Sequence, residues 1–188
     1  MNDKELTDYI QGVKDFGLKN DIPNVSVKNA HFLQDIVSIW NYKNVLEIGT
    51  ASGYSTLSLW QTLQKTNGHI TSIDFSEASY NLAQSHIEAS WLTDTITLIH
   101  ANALELLPNL TESYDFIFID GMKRRSKDFL RLCLPILKKP GLIIIDDVIK
   151  YKEKMQGLEK YVKELKLRYN ILPIDEDDGV MMIYINAD

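Results

Sequence analysis

One cysteine, Cys133, stands in 188 residues, so neither an internal disulfide nor a four-thiolate zinc site can form. Proline (five) and glycine (nine) are sparse and scattered. Without a Gly/Ser/Pro linker, a repeat or a low-complexity tract, the economical reading is one domain over residues 1–188. Its N-terminal helices would occupy 1–41 and an α/β core 42–188. Long apolar runs are missing too: stretches such as Leu142 to Ile145 suit a strand and are far short of a membrane span. The opening segment MNDKELTDYIQGVKDF is charged and amphipathic, unlike a signal peptide. No excess of positive charge exists: 20 Lys and Arg against 26 Asp and Glu give −6, which argues against a general nucleic-acid binder. The expectation is a cytoplasmic protein with no membrane attachment.

What is present is a regular alternation. Amphipathic helices are predicted over 3–18 and 28–41, the second with Leu33, Ile36, Val37 and Trp40 at helical spacing. Apolar strands follow at 44–48, 69–74, 96–100, 114–120 and 142–146, separated by helices near 54–64, 77–90, 104–110 and 126–137. Met155, Leu158, Val162 and Leu165 mark another helix. Two strands close the chain, near 170–174 and 180–185, around the acidic turn Asp175–Gly179. Such alternation implies a doubly wound α/β sheet of seven strands, mostly parallel, ending in an antiparallel hairpin. Ligands of such sheets bind beyond the C-terminal strand ends, at the switch in strand order.

The residues at those ends are informative. The first strand runs into Glu47-Ile48-Gly49-Thr50-Ala51-Ser52-Gly53-Tyr54-Ser55. Gly49 and Gly53 permit a sharp turn and close approach of a ligand to backbone. Their G-x-x-x-G spacing is neither the dinucleotide fingerprint nor a P-loop, and it disfavours a nicotinamide dehydrogenase. Asp74 ends the second strand, about 20 residues beyond the loop, where an acid can accept both hydrogen bonds of a ribose diol. Read together, Glu47, the glycine pair and Asp74 favour a nucleoside site over a plain strand–helix turn. Asp120 ends the fourth strand and Asp146-Asp147 the fifth. Three carboxylates on one rim repel unless a cation sits among them, and such ligands suit Mg²⁺ or Ca²⁺. Lys123, three residues after Asp120, is a candidate general base if that cation lowers its pKa. Cys133, the four histidines and Trp40, Trp60 and Trp91 receive no role.

These segments, VLEIGTASGYSTLSL, FIFIDGMK and GLIIIDDV, resemble the cation-dependent O-methyltransferases, from about Asn24 to Ile185. That family includes catechol and caffeoyl-CoA O-methyltransferases and bacterial relatives acting on small phenols or a hydroxylated tRNA uridine. The resemblance implies a Rossmann-like class I methyltransferase sheet and S-adenosylmethionine as cofactor. It implies that Glu47, Gly49, Tyr54 and Ser55, with Ser52 and Gly53 of the same loop, line the methionine and ribose side. Asp74 would hold the ribose hydroxyls, Phe75 would lie beside the adenine, and Asn102 and Ala103 would contact its edge. Val25, within Asn24-Val25-Ser26, would close over the amino-acid end. Asp120 would serve both the cofactor amine and a metal, with Asp146 and Asp147 completing the metal ligands and Lys123 acting as base. Mg²⁺ is the expected ion, and a small phenolic or catechol-like hydroxyl the expected acceptor.

The chain departs from the family in three places. Asp146-Asp147 replaces the usual Asp-Asn, and Met122 stands where catechol O-methyltransferase carries tryptophan. The stretch after Val148 is short where the family carries a longer substrate wall. Other expectations stay open beside the first. The basic residues Arg124, Arg125, Lys127 and Arg131 near the active rim leave room for a tRNA acceptor. A non-catalytic nucleotide-binding protein of the same fold is another reading. The N-terminal helices offer a surface for a homodimer as well as for packing on their own domain.

Overall fold

The computed structural model describes residues 1–92 and 95–187. Helices α1 (Asp3–Lys19) and α2 (Val27–Ile39) lead into β1 (Asn44–Ile48), α3 (Tyr54–Leu63), β2 (His69–Asp74), α4 (Glu77–Ala89) and β3 (Ile96–His100). Then come α5 (Ala103–Leu106), β4 (Tyr114–Ile119), α6 (Ser126–Cys133), β5 (Leu137–Ile145), α7 (Leu158–Glu164), β6 (Tyr169–Pro173) and β7 (Gly179–Ile185). Asn2 begins α1 with a capping box to Glu5, and Ser26 caps α2 by accepting from the Asn29 amide.

The seven strands lie in the order β3-β2-β1-β4-β5-β7-β6. β1 to β5 pair in parallel, β7 runs antiparallel to β5, and β6 pairs only with β7. Strand order reverses between β1 and β4, which opens a crevice beyond their C-terminal ends.

The central strands are apolar on both faces because both are covered. Val45, Phe116, Phe118 and Ile144 point to one layer, with Leu6, Ile10 and Val13 of α1, Leu33 and Val37 of α2 and Leu57 of α3. Their sequence neighbours Leu46, Ile117, Ile119 and Ile145 point to the other, with Phe129, Leu130 and Cys133 of α6 and Leu158 and Val162 of α7. Period-two alternation thus splits each strand between two cores. Cys133 is fully buried in the second, and burial pushes its thiol pKa up, so it packs rather than reacts.

Four expected boundaries move. The helix predicted to reach 137 ends at Cys133, because Pro135 has no N–H to continue it and Leu134–Ile136 tightens into a 3-10 turn. β5 therefore begins at Leu137, earlier than the apolar run suggests, with a register shift near Tyr114. The helix marked by Met155 starts only at Leu158, after Gly157 in the left-handed conformation. The stretch predicted over 104–110 is a four-residue helix followed by a 3-10 turn at Leu107–Asn109, containing Pro108. Among the described residues no helix is long and apolar enough to cross a membrane.

Candidate active site

Hydrogen bonding continues one step past each strand, and this brings the site together. Gly49 N donates to Ile73 O at 2.9 Å, Asp120 N to Ile48 O at 2.9 Å, and Asp146 N to Ile119 O at 3.0 Å. The loop after β1 and the acids after β4 and β5 are thereby aligned on one rim. Above them lies a cavity of about 1430 Å³, large enough for two small molecules side by side.

The glycine loop is shaped by contacts that no side chain could share. Gly49 has φ +102°, and a Cβ there would lie 2.6 Å from Asp120 O. Gly53, at φ +84°, faces Ala83 of α4. Asp74 fastens the loop: one carboxylate oxygen accepts from Thr50 N (2.9 Å) and Ala51 N (3.1 Å), the other from Ser76 N (2.8 Å). His86 of α4 holds the same loop through a 2.8 Å contact between its Nδ1 and Ser52 O. Asp74 is therefore a structural staple whose carboxylate also edges the cavity, where its remaining lone pairs can meet a diol.

Of the residues expected to touch a cofactor, Val25, Gly49, Ser55, Asp74, Phe75, Asn102, Ala103 and Asp120 line the cavity. Glu47, Ser52, Gly53 and Tyr54 do not; they lie behind its wall. Glu47 is wholly buried beneath the loop, accepting from the Thr56 and Ser72 hydroxyls, with Oε1 left without a partner. Burial, partly offset by the neighbouring Ser55, Ser72 and Thr56 hydroxyls, raises its pKa to about 7.

Asp120, Asp146, Asp147 and Lys123 also share the cavity. Among the described residues, however, no group of three His, Cys, Asp or Glu side chains is placed to hold a metal ion as it stands. The Lys123 ammonium occupies the gap, 2.5 Å from Asp120 Oδ1 and 2.5 Å from Asp147 Oδ2. Burial alone would lower the Lys123 pKa, but the two carboxylates raise it above the ordinary lysine value. This is opposite to the lowered pKa expected from the sequence, since anions are its immediate neighbours. Burial and then the charges of Asp120 and Asp147 push Asp146 up to about 8. Burial and the neighbouring Asp178 carboxyl push Asp147 to about 6. Asp120 is raised as well, by burial. Asp147 has φ +63°, a left-handed backbone that turns its side chain back toward Lys123.

Three lining residues escaped sequence reasoning. Asp178, in the β6–β7 turn, accepts from Ile149 N, Lys150 N and Gly179 N and adds a fourth carboxylate beside Asp147. The acidic run Asp175–Asp178 was the available signal, but nothing local says that this turn folds back over the rim. Asn29 of α2 donates to Asp146 Oδ1 at 2.9 Å, and Lys14 of α1 reaches the cavity from beneath Val25. Neither carries a local signature.

Fold and site together define a class: a doubly wound α/β domain with a nucleoside-sized crevice at its switch point and a lysine set among acids on the same rim. The O-methyltransferase family profile matches residues 3–186, and the chain belongs to that family. Catechol O-methyltransferase of Niastella koreensis is 31% identical over 131 residues, covering 68% of this chain and 59% of that protein. Tapetum-specific methyltransferase 1 of Arabidopsis thaliana is 31% identical over 156 residues, covering 78% and 66%. The chain thus matches about three fifths to two thirds of these relatives' length. The crystal structure of an O-methyltransferase from Bacillus cereus in complex with S-adenosylhomocysteine superposes with a TM-score of 0.81. It is 26% identical, with coverage of 94% of this chain and 90% of that one.

Proposed function

We propose that this chain is an S-adenosylmethionine-dependent O-methyltransferase that methylates a hydroxyl of a small phenolic or catechol-like acceptor. A divalent cation, Mg²⁺ first, would be held by Asp120, Asp146 and Asp147. The observation that carries this reading is the convergence of Lys123 and these carboxylates on the cavity that Asp74 and the glycine loop also line.

The donor set fits a hard cation. Buried carboxylates crowded enough to raise one another's pKa values gain from a divalent ion, and oxygen ligands are what Mg²⁺ takes. Bound there, such an ion would polarise an acceptor hydroxyl and lower its pKa. The chain's own residues orient and deprotonate. Asp74, held in place by the loop amides, would set the donor nucleoside, and the rim would place the acceptor oxygen in line with the sulfonium methyl. The reaction forms the O–CH₃ bond and breaks the S–CH₃ bond, whose electron pair stays on sulfur. The hydroxyl proton passes to Lys123 Nζ. Lys123 is held protonated by Asp120 and Asp147, so it must first release its own proton to solvent before it can take the hydroxyl proton; a cation held by those carboxylates would favour that release.

The test is a methyl-transfer assay with S-adenosylmethionine, Mg²⁺ and catechol or hydroxycinnamoyl acceptors. Turnover lost reversibly in chelator is expected, and full turnover in chelator would remove the cation. Lys123→Ala should lose roughly 10²- to 10⁴-fold in kcat while keeping S-adenosylhomocysteine affinity. A small acceptor is favoured over tRNA because basic residues at the cavity edge already have carboxylate partners, Arg125 in Asp128 at 3.0 Å and Lys150 in Asp177 at 2.8 Å.

A further inference from the structure

Lys14 is an unusual side chain for a helix that packs on the core. It is only 7% exposed, and its ammonium donates to Val25 O at 2.6 Å and to Asn24 O at 3.4 Å. The ring of Tyr54 lies 5.1 Å away. An ammonium has three donors, and these carbonyls use two. Among the described residues no carboxylate lies within salt-bridge distance of Lys14; the nearest charge it feels is Asp175. The other cations lining the cavity either have a carboxylate partner or stand in solvent: Lys123 pairs with Asp120 and Asp147, Arg125 with Asp128 and Lys150 with Asp177, while Lys154 is exposed. A buried cation without an anion is costly, and a cavity that holds one is built for an anionic group.

The surroundings say which anion. Asn24 Oδ1 accepts from Ser52 Oγ at 2.6 Å, which stitches the Lys14 corner to the glycine loop. A nucleoside with its diol on Asp74 sends its 5′ substituent along that loop. One helical turn beyond Val25, Asn29 is 2% exposed and lines the same cavity. Its Nδ2 donates to Asp146, and its Oδ1 is buried with no donor. A phosphate would bring that oxygen only further acceptors. A cation in need of an anion and an acceptor in need of a donor, both lining one cavity, match an α-amino acid with its carboxylate and ammonium.

We infer that Lys14 binds the α-carboxylate of the methyl donor, so that this corner selects donors that carry an amino-acid end. The inference rests on the donor reading proposed above. Lys14 is a binding residue: its hydrogen bonds go to Val25 O and Asn24 O and not to the acids or Lys123 that would handle the acceptor.

Calorimetry on the full chain tests it with three ligands: S-adenosylhomocysteine, its decarboxylated analogue and 5′-methylthioadenosine. The wild type should bind S-adenosylhomocysteine on the order of 10- to 100-fold more tightly than the decarboxylated analogue. Lys14→Met should bring that ratio to within about twofold and leave methylthioadenosine affinity unchanged. Lys14→Gln, which keeps a donor for Val25 O without the charge, should do the same. An unchanged ratio in both variants overturns the inference. So does an equal loss of all three ligands, which would make Lys14 a structural strut. Binding of ADP as tight as S-adenosylhomocysteine, and lost in Lys14→Met, overturns it by assigning the corner to phosphate. A wild type that binds neither S-adenosylhomocysteine nor methylthioadenosine removes the donor reading itself, and this inference with it.

Discussion

Glu47 shows how a residue can belong to a site without touching its contents. Its carboxylate lies under the glycine loop, tied to Thr56 and Ser72, and it sets the loop's height from below. Its pKa is about 7 in the fold against an ordinary 4.5, so the folded chain holds this proton more tightly than the unfolded one. Stability from Glu47 is therefore full below about pH 4.5 and is lost as pH rises toward 7. Ionising it costs at most on the order of 3 kcal/mol. Glu47→Gln should raise the melting temperature at pH 8 and change it little at pH 5. Parallel melting-temperature profiles for the two proteins would remove Glu47 as a titrating strain. At this scale the sequence exposed the acids that end strands, since an Asp after an apolar run must emerge at the rim. It could not expose Lys14, Asn29 or Asp178, which reach the rim from helices and a turn whose docking is a tertiary event. The direction of the Lys123 pKa was equally hidden, because it depends on distances to Asp120 and Asp147 and not on spacing.

At the scale of elements, the loop between β1 and α3 is where sequence and geometry agree most closely. Gly49 and Gly53 both need left-handed backbone, but only Gly49 has another strand's carbonyl where a Cβ would go. Gly49→Ala should cost on the order of 3 kcal/mol or more, because strain and clash act together. Gly53→Ala should cost about 1–2 kcal/mol, mostly backbone strain against the yielding contact with Ala83. Urea denaturation reads the difference, and equal costs would mean that the Gly49–Asp120 approach relaxes freely. Strands β1, β2 and β3 were legible to the residue, because short apolar runs bounded by Gly and Asp have one sensible reading. The start of β5 was not, because Leu137-Lys138-Lys139-Pro140 looks like a helix end until the sheet supplies Tyr114 as a partner for Leu137.

For the whole molecule, the doubly wound topology and the antiparallel tail followed from the alternation of elements, whereas β7's place between β5 and β6 was set only by packing. A donor bound over β1 and β4 contacts loops from both halves of the sheet, so binding should stabilise the chain globally. At S-adenosylhomocysteine about 100-fold above its Kd the gain is about 2.7 kcal/mol, or roughly 5–10 °C in melting temperature for a chain of this size. The same concentration of NAD should leave it within about 1 °C, and the reverse pattern would displace the methyl-donor reading. Asp120, Asp146, Asp147 and Asp178 gather at one end of the sheet, interleaved with Lys123, Arg125 and Lys150.

The place of β6 has a consequence in time. It touches the sheet only through β7, and β7 is made after it. On the ribosome, β6 has nothing to pair with until the chain has turned at Asp175–Asp178 and sent β7 back along β5. The arrival of β7 along β5 carries Asp178 onto the rim. A nascent chain can thus own a nearly finished sheet while its acidic rim is still incomplete, which delays the site until the last strand is in place.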